Sequence, residues 1–195
     1  MRRTTITTLA VTAALLFTAT ACTDDDITTK PSKTGAAEQP ANSEPAEAPE
    51  DEPTKATVAK VGDTITLKGQ EDGSKVDATL KKVVDPAQPK DEFFAPEDGN
   101  RWIAAQFELT NTGTKPYADS PSNGAGVADA DGQRFSATFA DTKAGPSMTS
   151  SAKVPPGEKV LGWITFEVPK GSKIVTVQFG LDSGFAEQTG QWKLS

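Results

Sequence analysis

The chain has 195 residues, 20 of them basic and 27 acidic, with one cysteine, no histidine and a net charge of −7. Without histidine it lacks the usual general base near neutral pH and the commonest metal ligand. A surplus of acids opposes nucleic acid, whose capture rests on Lys and Arg neutralising phosphates, and a lone cysteine excludes an internal disulfide or a thiolate zinc cluster.

Arg2 and Arg3 precede the uncharged stretch "TTITTLAVTAALLFTATA" (residues 4–21). A positive start, a short apolar run and small residues before a cleavage point describe a secretory signal. The run is diluted by threonine, and a bilayer span needs ~20 mostly apolar residues, so a processed signal is the better reading. Ala19 and Ala21 sit just before Cys22. This resembles the bacterial lipobox, in which a diacylglycerol joins the cysteine sulfur and the signal is cut immediately before it. The resemblance implies that Cys22 is the lipidation site, that the product incorporates palmitate, and that two acyl chains anchor it stably. Ala19 stands where the lipobox typically has Leu, which leaves open ordinary signal cleavage and a secreted product.

From Thr23 to Lys55 the chain holds nine acids against three lysines, five prolines, and no apolar residue but Ile27 and alanines. Such a segment buries too little surface to offset its ordering entropy, and a disordered stalk is expected. About 35 flexible residues span ~30–35 Å, more with charge repulsion. The expected organisation is a signal peptide over 1–21, a lipidated cysteine and stalk over 22–55, and a folded domain over 56–195.

Within that domain, apolar residues alternate as strands require. Weaker faces come first, at Ile65 and Leu67, and at Val76, Ala78 and Leu80. In "RWIAAQFELTNTG" one face holds Ile103, Ala105, Phe107 and Leu109. Further strands are expected around Gly126–Asp129 and Gln133–Phe139. In "KVLGWITFEVPKG" the face is Val160, Gly162, Ile164, Phe166 and Val168, with Pro169 ending it; in "KIVTVQFGLD" it is Val175, Val177, Phe179 and Leu181. "DG" pairs at Asp72, Asp98 and Asp131 mark turns. One-faced strands need a second sheet, so the fold class is all-β, an immunoglobulin-like β-sandwich of about 7–8 strands.

Two stretches carry a family resemblance: "GNRWIAAQFELTNTGTKPY" (residues 99–117) and "VPPGEKVLGWITFEVPKG" (residues 154–171). They resemble the DUF4352 family of bacterial extracytoplasmic domains, in which an aromatic-led strand runs into Asn-Thr-Gly and a Pro-Gly-Glu turn precedes a Gly-Trp strand. The resemblance spans residues 58–182. It implies an immunoglobulin-like sandwich on lipoproteins and secreted proteins of Gram-positive bacteria, actinobacteria included, and no activity. Only structural positions carry over: Trp102, Asn111, Gly113, Pro156, Gly157, Glu158, Gly162, Trp163, Phe166 and Pro169. Pro156-Gly157 turns the chain, Gly162 leaves room for a large neighbouring side chain, and Trp163 is expected half-buried on the face opposite Ile164.

"SSAK" (residues 150–153) matches the S-x-x-K of penicillin-recognising serine enzymes. That chemistry needs the serine at a helix start and further motifs downstream, and a loop is the reading here. Asp129 and Asp131 in "DADGQ", with Asp119 and Asp141 as neighbours, are weak calcium candidates, since no 12-residue calcium loop surrounds them. Trp102, Trp163 and Trp192 fit packing better than a ligand surface. No catalytic residue and no cofactor is expected. The function expected is a lipid-anchored, non-catalytic module on the outer face of the cell membrane. It would bind a protein or envelope component through loops, or through a sheet edge by β-augmentation. The alternatives are a cell-envelope hydrolase and a calcium-dependent binding protein.

Overall fold

The computed structural model describes residues 29–30, 59–91 and 93–194. The signal segment, Cys22 and the rest of the expected stalk lie outside these residues. The strands are β1 (Thr29–Lys30), β2 (Ala59–Lys60), β3 (Thr64–Lys68), β4 (Lys75–Ala87), β5 (Asn100–Asn111) and β6 (Tyr117–Asp119). They continue with β7 (Ala125–Asp129), β8 (Arg134–Thr138), β9 (Ala152–Val154), β10 (Lys159–Pro169), β11 (Ile174–Gly180) and β12 (Thr189–Lys193).

One layer runs β1-β3-β4-β5-β10 and the other β7-β11-β12-β2, with β8 shared between them. Ala137 and Thr138 of β8 pair with β10, while Arg134 to Ser136 pair with β7. The protein is therefore a β-sandwich whose hydrogen bonding continues around one side. Among the described strands, all pairings are antiparallel except that of β12 with β2.

The longest register joins β5 to β10, from Lys159 opposite Thr110 to Pro169 opposite Asn100. It seats Ile103, Ala105, Phe107 and Leu109 beside Ile164, Phe166 and Val168 in the main core. Across the sandwich, the Phe107 ring lies 5.2 Å from that of Phe179 and 5.7 Å, edge-on, from that of Trp192. The Trp192 Nε1–H donates to the Asp63 carbonyl at 3.0 Å, so the one polar atom of this central ring is satisfied.

The alternation expected for β5, β10, β3 and the first half of β4 matches the core. On β11 it breaks: a register shift between Ile174 and Thr176 seats Ile174 in the core and leaves Val175 half-exposed. A bulge adds one unpaired residue, which reverses the faces before it. Among the described residues, eight strands of five residues or more agree with the 7–8 expected, β12 being one that was not singled out; β1, β2, β6 and β9 are additional two- or three-residue pairings. Thr29–Lys30, inside the expected stalk, pair with Ile65 and Thr64 on the outer edge of β3.

A second, smaller cluster lies on the outside of the β4-β5-β10 layer. Ala87, Trp102, Ala104 and Trp163 pack there, with Val84, Ala140 and Ala144 against them. Trp163 does face away from Ile164, yet it is only 6% exposed, not half-buried. The cover comes from the loop of residues 139–151, through Ala140 and Ala144, and a second loop, residues 88–91 and 93–99, is tied to its flank.

Candidate functional site

These two loops zip together before they reach the tryptophans. Lys90 N–H donates to the Asp141 carbonyl at 3.0 Å and Lys143 N–H to the Gln88 carbonyl at 2.9 Å. The far end of the first loop is clamped by Glu167. Its Oε1 accepts from Glu97 N–H at 2.8 Å and from Asn100 Nδ2 at 2.9 Å, while Oε2 accepts from Trp102 Nε1 at 2.9 Å. Burial pushes this carboxyl upward, but the hydrogen bonds from Asn100, Trp102 and the Glu97 amide outweigh it and hold its pKa below the ordinary value.

Between those fixed ends, Asp91 Oδ1 accepts the amides of Phe93 at 3.0 Å and Phe94 at 3.3 Å. This turn holds both rings outward, with Phe94 69% exposed. Phe139, at the end of β8, is 88% exposed. Phe94 and Phe139 wall a cleft of about 330 Å³ floored by Met148 and Trp163. Large apolar side chains projecting from polar loops are the kind of feature that marks a contact site.

Glycine makes the floor possible at two points. A Cβ on Gly162 would lie 2.4 Å from the Met148 Cα, so the bare position admits the backbone of residues 146–148 beside β10. The expected neighbour was a large side chain; it is a strand-like backbone, with Met148 N–H donating to the Trp163 carbonyl at 2.7 Å. Gly145, at φ +152°, rides over the Trp163 indole, where a Cβ would come within 2.5 Å of Nε1.

The other singled-out positions hold the frame. Asn111 Nδ2 donates to the carbonyls of Lys115 and Val154, both at 2.8 Å, and its Oδ1 accepts from Gly113 N–H at 3.0 Å. Its backbone meets Glu158 and Gly157 in the turn that follows Pro156. The Asn-Thr-Gly and Pro-Gly-Glu segments are thus one knot. Phe166 is fully buried, and the Pro169 carbonyl accepts from Arg101 Nη1 at 2.6 Å. Asp129 Oδ1 accepts the amides of Asp131 and Gln133, closing the β7–β8 turn. Asp119 instead meets Ser183, and Asp141 meets Ser147. No group of three metal-ligating side chains occurs among the described residues. Ser150 is on the 139–151 loop and Lys153 on β9, so "SSAK" heads no helix.

The edge formed by β3 and the far half of β4 is a poor docking strand. Part of β3's outer edge meets Thr29–Lys30, and Lys68 N–H is taken by Gln188 Oε1 at 2.8 Å. Beyond Thr79, β4 carries exposed Lys81, Lys82, Asp85 and Pro86, the residue types that block strand addition. The aromatic cleft is the better candidate.

The family model described as "Domain of unknown function (DUF4352)" matches residues 60–189, a stretch that holds both the Asn111 knot and the cleft. The chain belongs to the DUF4352 family. No curated protein matches it in sequence. Among solved structures, this DUF4352 domain is similar to the yjhA protein of Bacillus subtilis, at 14% identity and TM-score 0.50, over 71% of this chain and 100% of that one. It is similar to the secreted protein MPT63 of Mycobacterium tuberculosis, at 16% identity and TM-score 0.49, over 72% of this chain and 99% of that one. A candidate lipoprotein of Bacillus subtilis, ycdA, matches at 15% identity and TM-score 0.49 over 66% of this chain, which spans only 38% of that protein.

Proposed function

We propose that the protein is an extracytoplasmic, lipid-anchored binding module, held at the membrane through Cys22, that contacts its partner with the aromatic cleft and performs no catalysis. The observation that carries the binding is the pair Phe94 and Phe139, exposed above a floor of Met148 and Trp163. Loops this firmly pinned do not expose such rings to satisfy the fold, because solvating them costs free energy that a contact would recover. The anchor is supported by the signal and by the cysteine's place before the stalk.

The binding is tested by incubating wild-type protein and the Phe94→Ala/Phe139→Ala variant with envelope extract and measuring the material retained. Wild type should retain a species that the variant loses, while both melt alike. Equal retention would contradict the cleft as the contact surface.

A further inference from the structure

The cleft's lining has a sign. Its charged residues are Asp91 and Asp141, and no Lys or Arg lines it. Asp91 spends Oδ1 on the Phe93 and Phe94 amides, and among the described residues no hydrogen bond or ion pair engages its Oδ2. Asp141 takes Ser147 Oγ at 2.5 Å on Oδ1, and its Oδ2 sits 3.9 Å from Lys90 with both side chains largely exposed. So loose a surface pair is readily exchanged for another cation. Carboxylates beside exposed aromatic faces favour a cation whose stem is apolar, through charge and cation–π attraction together.

We propose that the cleft receives an extended segment of a partner protein in which a basic residue adjoins an apolar one. The apolar side chain lies between Phe94 and Phe139, and the cation meets Asp91 and Asp141. A cleft this open suits a passing chain better than an enclosed small molecule, which is usually buried over most of its surface. An anionic lipid surface is disfavoured, because both carboxylates would face its headgroups. This inference rests on the cleft being the binding surface and adds the chemistry of what it binds.

The test titrates the full mature chain with blocked nonapeptides alternating leucine with lysine, glutamate or serine, followed by calorimetry and tryptophan emission. The lysine peptide should bind at least about tenfold tighter than the serine peptide and weaken as salt rises. Its affinity should fall about tenfold in Phe94→Ala/Phe139→Ala and in Asp91→Asn/Asp141→Asn. Asn at 91 keeps an acceptor for the two amides, so the turn is retained. Serine and lysine peptides binding equally, both lost with the phenylalanines, would overturn the charge assignment and leave the cleft reading standing. Lysine-peptide binding indifferent to the phenylalanine pair would overturn both. Phosphatidylglycerol vesicles captured through Phe94 and Phe139 would replace the peptide with a lipid surface.

Discussion

One side-chain amide ties together the turns on which the family's two motifs depend. Asn111 is 1% exposed, and both its donors and its acceptor are used. Removing it strands the Val154 and Lys115 carbonyls and opens a void, which together cost about 2–4 kcal/mol. Asn111→Ala should therefore lower the urea midpoint by that stability, with the slope unchanged. Asn111→Asp should be no better, since a carboxylate would face two carbonyls. Glu167 gives a pH signature at the same scale. Its folded pKa is depressed, so its contribution is fully present above the unfolded value, near 4.5, and lost as pH falls through the folded one. Stability measured across this acid range should drop more steeply in wild type than in Glu167→Gln, and parallel profiles would refute the clamp. Asp129 closes a turn through two amides, so a melt unchanged by EGTA is expected. A melting temperature lowered by chelation would restore calcium.

At the level of elements, β10 carries both the core and the cleft. Ile164 and Phe166 point inward, Trp163 outward, and Gly162 admits the 146–148 segment beside them. A methyl group at 162 meets backbone, which cannot rotate away. Gly162→Ala should cost about 1–3 kcal/mol and shift the Trp163 emission as its cover lifts. A variant with wild-type stability and emission would show that the segment is not seated there. The strands that build this element were legible, because Ile103 to Leu109 and Ile164 to Val168 alternate without interruption. The bulge before Thr176 was not, since one unpaired residue leaves no mark in a run as apolar as "KIVTV". Nor was β12, where only Gly190 and Trp192 face inward among polar neighbours. The cleft was hidden for another reason: it forms where loops from residues 88–99 and 139–151 meet, a contact set by tertiary approach. The available signal was Phe93-Phe94, two large apolar residues in a polar loop with no strand face to join.

At the scale of the molecule, the sandwich supplies a frame and the loops expose Phe94 and Phe139 on one flank, the surface proposed for contact. In the proposed function the chain upstream sets where that frame is displayed. Cys22 and the signal lie outside the described residues, so the anchor is a question for chemistry. Labelled palmitate should enter the wild-type protein, and Cys22→Ser should release it to the medium; equal membrane retention of the variant would contradict the tether. The binding surface has a built-in control, because Phe185 is also exposed, at 78%, but does not line the cleft. The decisive measurement is photo-crosslinking on intact cells, with a benzophenone-bearing residue in place of Phe139 or of Phe185. A discrete adduct from position 139 and none from 185 is the expected result. Adducts of equal yield from both, or none from 139, would contradict the aromatic cleft as the surface through which this domain works.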